Sequence, residues 1–460
     1  MSQIETIESM QQTDAAFVRK RIAKGEDAEK VIDETADLRY QVIHNLPDTV
    51  KAYRNGTTWY VSGSGREDAL GNSADDPFNS VVALEKNRSR IKAGDAVLFH
   101  RGEVYRGGCI TSVSGVSYGA YGEGEKPLIN ASLRNYIADR WYTVGDGIWT
   151  LDVAFEADVG NVIFDDGKIT GFKKIHREDV INNFDFWSDH SDGNRLYIKL
   201  EQDPTTCFTS IEIAFNIWMF RLEQNNDITV ENIAFCYGGG HAIRGSQCHN
   251  ITVRGCEFRF IGGSFLSGYK DGTVRCGNAI EFMNGSCDIL VENCFTYEIY
   301  DSGITHQGLG NYVADKITFR NNLVTYCGMG GIEYWLGQGS LATNVTYEGN
   351  IMRCAGFGFG GTQRPDCNAI GHVYGNGFLH NKIENFRIVN NIFDRSAYDL
   401  VNAQSIENTL PEMKGNIYVQ NRGGRFGSVG TGTDILADDG AENAVCKTWG
   451  DHNGTVVILP

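Results

Sequence analysis

Proline accounts for only 7 of 460 residues, so the chain is neither collagen-like nor a proline-rich linker protein. No run of about 18 apolar residues occurs, and no membrane-spanning helix is expected. Positive charge is in deficit: 41 Lys and Arg against 58 Asp and Glu leave a formal charge of −17. A general nucleic-acid binder needs the opposite balance, because its affinity comes from neutralising phosphates. The same deficit disfavours a strongly anionic polymer as substrate. The 12 cysteines contain no CxxC pair, so a structural zinc site is not expected. Scattered as they are, they read as reduced thiols acting as small apolar core residues. The N-terminus, MSQIETIESMQQTDAAFVRKR, lacks a basic start followed by an apolar core and a small-residue cleavage site. The expected location is cytoplasmic, or secreted if a signal has been removed.

What the chain has in excess is glycine, 55 residues or about 12% against a usual ~7%. Its 41% hydrophobic content suffices for a core. Length alone suggests two or three domains, a prior that elongated repeat folds break. Residues 1–56 read as helical, with Phe17, Val18, Ile22, Val31, Ile32, Leu38 and Val42 at roughly helical spacing until Pro47. Short β-type runs follow, and residues of about 140–225 form an irregular β insertion with aromatic turns. From about 226 to 430 an internal repeat appears: ITVENI at Ile228, ITVRGC at Ile251, ILVENC at Ile289, ITFRNN at Ile317, VTYEGN at Val345 and FRIVNN at Phe386. The starts lie 23, 38, 28, 28 and 41 residues apart, a constant core with loops inserted at fixed corners. Alternation within each unit buries one face. Asn or Gly in the fifth position suits a bend in left-handed geometry. Asn232, Asn293, Asn321 and Asn390, interrupted by Gly255 and Gly349, form one column; Cys256, Cys294, Asn322, Asn350 and Asn391 form the next.

One turn of a β-solenoid fits this unit, with coils stacked about 4.8 Å apart. The repeat resembles the right-handed parallel β-helix of the pectate-lyase-like superfamily over residues of about 57–430. The opening segment resembles it too: Trp59 to Ser62, Pro77-Phe78, AGDAVLF at 93–99 and GEVYR at 102–106. The resemblance implies an all-β fold, a single-stranded right-handed parallel β-helix over 57–460. It further implies β insertions and an N-terminal helical cap (1–56) over the open end of the first coil, where strand edges would otherwise be bare. That superfamily contains polysaccharide lyases, glycoside hydrolases, sugar epimerases and phage tail-spike depolymerases, so the fold leaves the reaction open.

Following each repeat to its last strand aligns Ile243, Ile280, Ile304 and Ile332 as inward residues. The next residues point outward: Arg244, Glu281, Thr305 and Glu333. Two further on, also outward, come Ser246, Met283, Gln307 and Trp335. Glu281 and Glu333 are two coils apart, roughly 10 Å between backbones, and Asp301 lies at the corner between them. Paired carboxylates at about 5–5.5 Å serve retaining glycosidases and about 6.5–9.5 Å inverting ones. The expected catalytic set is Glu281, Asp301, Glu333 and His306. Strict alternation turns His306 inward, beside Phe282 and Tyr334, so it acts only if alternation breaks at the strand end. His241, just ahead of the same face, is a weaker candidate. The expected substrate contacts are Arg244, Lys270, Arg275, Thr305, Gln307, Tyr334 and Trp335, with Trp335 offering a flat face to a sugar ring.

Lys270 and Arg275, in the insertion 262–277, together with Arg244 and Arg259 would form a basic patch able to clamp a uronate. The segment 171–197 and a second insertion, 355–385, are expected to wall the cleft. No nucleotide loop, HExxH or EF-hand is present. Calcium would suit the acids near 281–301, but no dedicated ligand cluster exists and no metal or other cofactor is expected. The favoured reading is a glycoside hydrolase acting on a poly- or oligosaccharide, with no nucleic-acid or membrane partner; a homo-oligomer is compatible with the sequence. The alternatives are a lyase or epimerase on uronic-acid glycans, and a non-catalytic glycan-binding or phage-spike-like β-helix.

Overall fold

The computed structural model describes residues 13–189, 193–266, 273–364, 370–377, 381–403, 411–430 and 434–460. The repeat units pair as their pattern demands. Ile228, Ile251, Ile289, Ile317, Val345 and Phe386 face one another across successive parallel strands. Each coil contributes one strand to each of three ten-stranded sheets. In the coil that opens at Ile289 these are Cys287–Glu292, Phe295–Ile299 and Ser302–Gly308. The crossovers take the right-handed sense usual for parallel strands, and the molecule is a right-handed parallel β-helix.

The core is a set of stacked like residues, because every coil repeats the same inward positions. Val230, Val253, Val291, Phe319, Tyr347 and Ile388 are buried on the first sheet. Phe319 and Tyr347 stack at 5.4 Å with their planes 2° apart. The fifth position turns the chain with φ of 55°, 64°, 50°, 55°, 64° and 55° at Asn232, Gly255, Asn293, Asn321, Gly349 and Asn390. The following column carries a ladder of buried amides. Asn322 Nδ2 donates to Asn350 Oδ1 at 2.9 Å, Asn350 Nδ2 to Asn391 Oδ1 at 2.9 Å, and Asn391 Nδ2 to Asn416 Oδ1 at 3.1 Å. Cys256 and Cys294 continue that column as buried thiols.

Both ends of the core are plugged. Helix Val81–Lys86 brings Val81, Ala83 and Leu84 against the first strands, and helix Ala441–Thr448 brings Val445 and Trp449 against the last. The N-terminal helices Asp14–Ile22 and Ala28–His44 do not close the open end as expected. They cap a flank, because the apolar stripe Val31, Ile32, Ala36 and Ile43 finds a matching apolar row. That row is Phe295, Leu323, Ile351, Ile392 and Ile417, one outward residue from each of five consecutive coils of the second sheet. Asp27 caps the long helix by accepting from Lys30 N at 2.8 Å. At its other end the ammonium of Lys126 donates to Ile43 O at 2.7 Å, where the helix dipole favours a cation.

Three insertions leave the stack at one corner, between the second and third sheets. The first, residues 131–219, holds a five-stranded and a three-stranded sheet around its own core, including Phe164, Phe186, Ile198 and Ile213. The second ends in the short hairpin Ser264–Phe265 with Arg275–Cys276. Its neck is tight: a Cβ on Gly277 would run into the backbone of Gly262. The third carries the short helix Phe359–Thr362.

Candidate active site

The third sheet lines up Arg221, Arg244, Glu281, Thr305, Glu333, Tyr374 and Asn402 on neighbouring strands. All are outward, because the isoleucines beside them fill the core. An outward glutamate on a solenoid is ordinarily solvated. Here Glu281 is 4% and Glu333 3% exposed, and Asp301 at the adjoining corner is 8%. Carboxylates this buried need partners.

Glu281 has them. Arg244 Nε donates to Oε1 at 2.9 Å and Asn278 Nδ2 to Oε2 at 2.8 Å. His241 Nδ1 lies 3.5 Å from Oε2, but it accepts from Asn278 N at 3.0 Å. A neutral His241 therefore carries its proton on Nε2. Arg244 also pairs with Glu223 and lies 4.2 Å over the Trp218 ring. Asp301 is held differently: Arg364 pairs with Oδ1 and Gly277 N donates to Oδ2 at 2.7 Å. Glu333 meets no cation at hydrogen-bond distance among the described residues. Ser302 Oγ and Gln307 Nε2 donate to its Oε2 at 3.2 and 3.3 Å. Burial foremost, then the charges of Asp301 and Glu281, push its carboxyl up to about 8. At neutral pH Glu333 holds a proton. Asn278 ties the acids together, since its Oδ1 accepts from Ser302 N at 2.9 Å.

The three insertions form one wall beside this column. Lys173 of the first is buried and donates to both oxygens of Asp158 at 2.6 Å, with its ammonium 4.0 Å from the Phe265 ring of the second. Phe265 N closes the contact by donating to Asp158 Oδ2 at 2.7 Å. Gln363 of the third accepts from Lys173 N at 3.1 Å and from Arg275 Nη1 at 3.0 Å. Glu298 anchors that third insertion by accepting from Phe359 N at 2.6 Å, which brings Arg364 within reach of Asp301.

The structure thus brings together Glu281, Asp301, Glu333, Arg244, Thr305 and Gln307, with Trp335 part-buried on the same face. It corrects four expectations. His306 is inside the coil, between Phe319, Tyr334, Tyr347 and Phe386, with Nε2 2.6 Å from Tyr347 Oη. Burial lowers its pKa to about 3, so it is a neutral core residue and alternation does not break. Tyr334 stacks on it at 6.1 Å and is equally inward, away from any substrate. Arg275 is buried in the wall, where it donates to Gly263 O at 2.6 Å and Gly160 O at 3.2 Å and lies over Tyr300. Arg259 packs on the opposite flank, against Tyr40 and Phe295. Lys270 lies outside the described residues. The sequence reading missed Arg364, Trp218, Asn278 and Glu223. Asn278 alone had a signal, as the residue that opens the Glu281 strand. No group of three His, Cys, Asp or Glu suited to a metal ion occurs among the described residues.

No protein-family model matches the chain, and no curated protein does. Solved structures similar to it include a lacto-N-biosidase from Eubacterium ramulus, at 15% identity over 94% of this chain and 70% of that one, TM-score 0.44. They also include an exopolygalacturonase from Thermotoga maritima, at 10% identity over 87% and 97%, TM-score 0.37. An alginate lyase from Paenibacillus is similar at 9% identity over 83% and 94%, TM-score 0.37.

Proposed function

We propose that the chain is a carbohydrate-active enzyme, a glycoside hydrolase with Glu333 as general acid and Glu281 as general base. One observation carries this reading. Two covered glutamates stand two coils apart in unlike environments, one buried with only neutral donors, which raises its pKa, and the other paired with arginine. Such a split of environments is how a pair of carboxyls divides acid and base roles. Because both donors to Glu333 meet Oε2, Oε1 is left to carry the proton delivered to the leaving glycosidic oxygen. Glu281 accepts a proton from the attacking water as the bond between the anomeric carbon and the leaving oxygen breaks. Backbones roughly 10 Å apart favour carboxyls at the wider spacing, hence inversion. Trp335 and Tyr374 flank Glu333 on the outward face and supply flat surfaces for sugar rings.

Elimination from a uronate would need a cation free to bind the sugar carboxylate. The arginines nearest the acids are engaged: Arg244 and Arg364 are paired with Glu281, Glu223 and Asp301, and Arg275 is buried among protein carbonyls, which favours a neutral glycan, while Arg221, exposed over Trp218, lies two strands from Glu281. The test is a screen of glycans and nitrophenyl glycosides. It is read by new reducing ends, by the ultraviolet absorbance of unsaturated sugars, and by NMR of the anomer first released. Reducing ends of inverted configuration are expected, with E281Q and E333Q each slowed at least ~1,000-fold. Unsaturated products, or full activity in both variants, would refute the assignment.

A further inference from the structure

Thr305 lies between the two glutamates, register-paired with Glu281 on one side and Glu333 on the other. It is 0% exposed, and its hydroxyl has no hydrogen-bond partner among the described residues. A buried hydroxyl left without a partner is costly, and valine would fill the same shape without that cost. A fixed water satisfies such groups when two or more polar atoms converge on it. Here Thr305 Oγ and the carboxylate of Glu281 are one strand apart on the same face, and each oxygen of that carboxylate keeps a lone pair beyond the single donor it receives from Arg244 or Asn278.

We infer that the floor of the slot between Glu281 and Glu333 is a built water site, and that Thr305 holds the nucleophilic water against Glu281. The inference rests on the proposed hydrolase reading. In the step it describes, the water oxygen bonds to the anomeric carbon. One water proton passes to Glu281, and the Glu333 proton passes to the departing oxygen. The lone pairs of the water stay directed at the sugar because both its hydrogens are taken, one by Glu281 and one by Thr305 Oγ. Thr305 is then a catalytic residue, in contact with a reacting atom, and its loss affects turnover more than binding.

The first arm of the test needs no substrate. A crystal structure of the wild-type chain is expected to show a water within hydrogen-bond distance of both Thr305 Oγ and a Glu281 oxygen, and T305V to lose it. Thermal unfolding of T305V is expected to match or fall below the wild type. If the hydroxyl had no partner at all, removing it would raise the melting temperature. In the second arm, on whichever nitrophenyl glycoside the wild type cleaves, T305V is expected to lose kcat on the order of 100-fold with KM little changed. T305S, which restores the hydroxyl, is expected to recover most of that loss. An empty slot in the wild-type crystal, or a T305V chain that melts higher, overturns the inference. So does unchanged kcat in T305V. If E281Q and E333Q keep full activity in the same assay, the hydrolase reading falls, and the crystal still decides whether the water site exists.

Discussion

Replacing Glu333 by glutamine tests the electrostatics of the site without any substrate. Glutamine keeps the shape and the neutral charge of the protonated acid but cannot ionise. Glu333 is pushed from its ordinary 4.5 up to about 8, chiefly by burial and then by Asp301 and Glu281. The folded chain therefore holds a proton that the unfolded chain releases above about 4.5. The stabilisation from this group is fully present below that pH and is lost as pH rises through about 8. The whole effect is ~5 kcal/mol, of which ~4 kcal/mol falls between about pH 5 and pH 9. Denaturant unfolding of the wild type and E333Q at those two pH values isolates it, since the other titrating groups are shared. E333Q is expected to gain ~4 kcal/mol relative to the wild type on going from acid to alkaline conditions. A difference that stays constant within about 1 kcal/mol would show that Glu333 ionises normally and would remove the physical basis for its role as acid.

Three further outcomes follow from named contacts. Asp301→Asn removes a charge that raises Glu333, so the alkaline limb of kcat should move to lower pH by about one unit, while Arg364→Gln should move it higher; a pH–rate profile of each variant checks both signs. Asn350→Ala removes the side-chain donor to Phe319 O and one of two partners from each neighbouring amide of the ladder, and should cost about 2 kcal/mol in denaturant unfolding with no change in KM.

The coil stack was legible because each of its units repeats the same inward and outward positions. The alignment of Ile243, Ile304 and Ile332 from spacing, with Ile280 placed where the pattern resumes after an insertion, is the register of the folded strands. That alignment placed Glu281, Thr305 and Glu333 on one face, and it turned His306 and Tyr334 inward, where they are found. The wall was not legible. Arg364 reaches Asp301 across 63 residues, from an insertion that follows no repeat. Trp218 lies ahead of a strand only two residues long, too short to show a period. Burial was illegible as well. Alternation tells which way Glu333 points, but the covering that shifts its proton comes from surrounding structure that no local pattern encodes. The N-terminal helices show the same limit: their apolar stripe was readable, but the row that receives it exists only once five coils are stacked.

That long helix changes how the stack should come apart. In a solenoid each coil touches only its neighbours, so stability is a sum of adjacent terms and the ends can fray independently. Here Ala28–His44 runs lengthwise over five coils, and Arg353 and Arg395 on two of them pair with its Asp33 and Glu29. Arg19, on the preceding helix, donates to Gly415 O, while His44 lies 2.9 Å from Glu257 five coils away. Coils that share no edge are therefore fastened to one strut. Losing any of them loosens the strut for all, so the row melts together as a single unit instead of unzipping turn by turn.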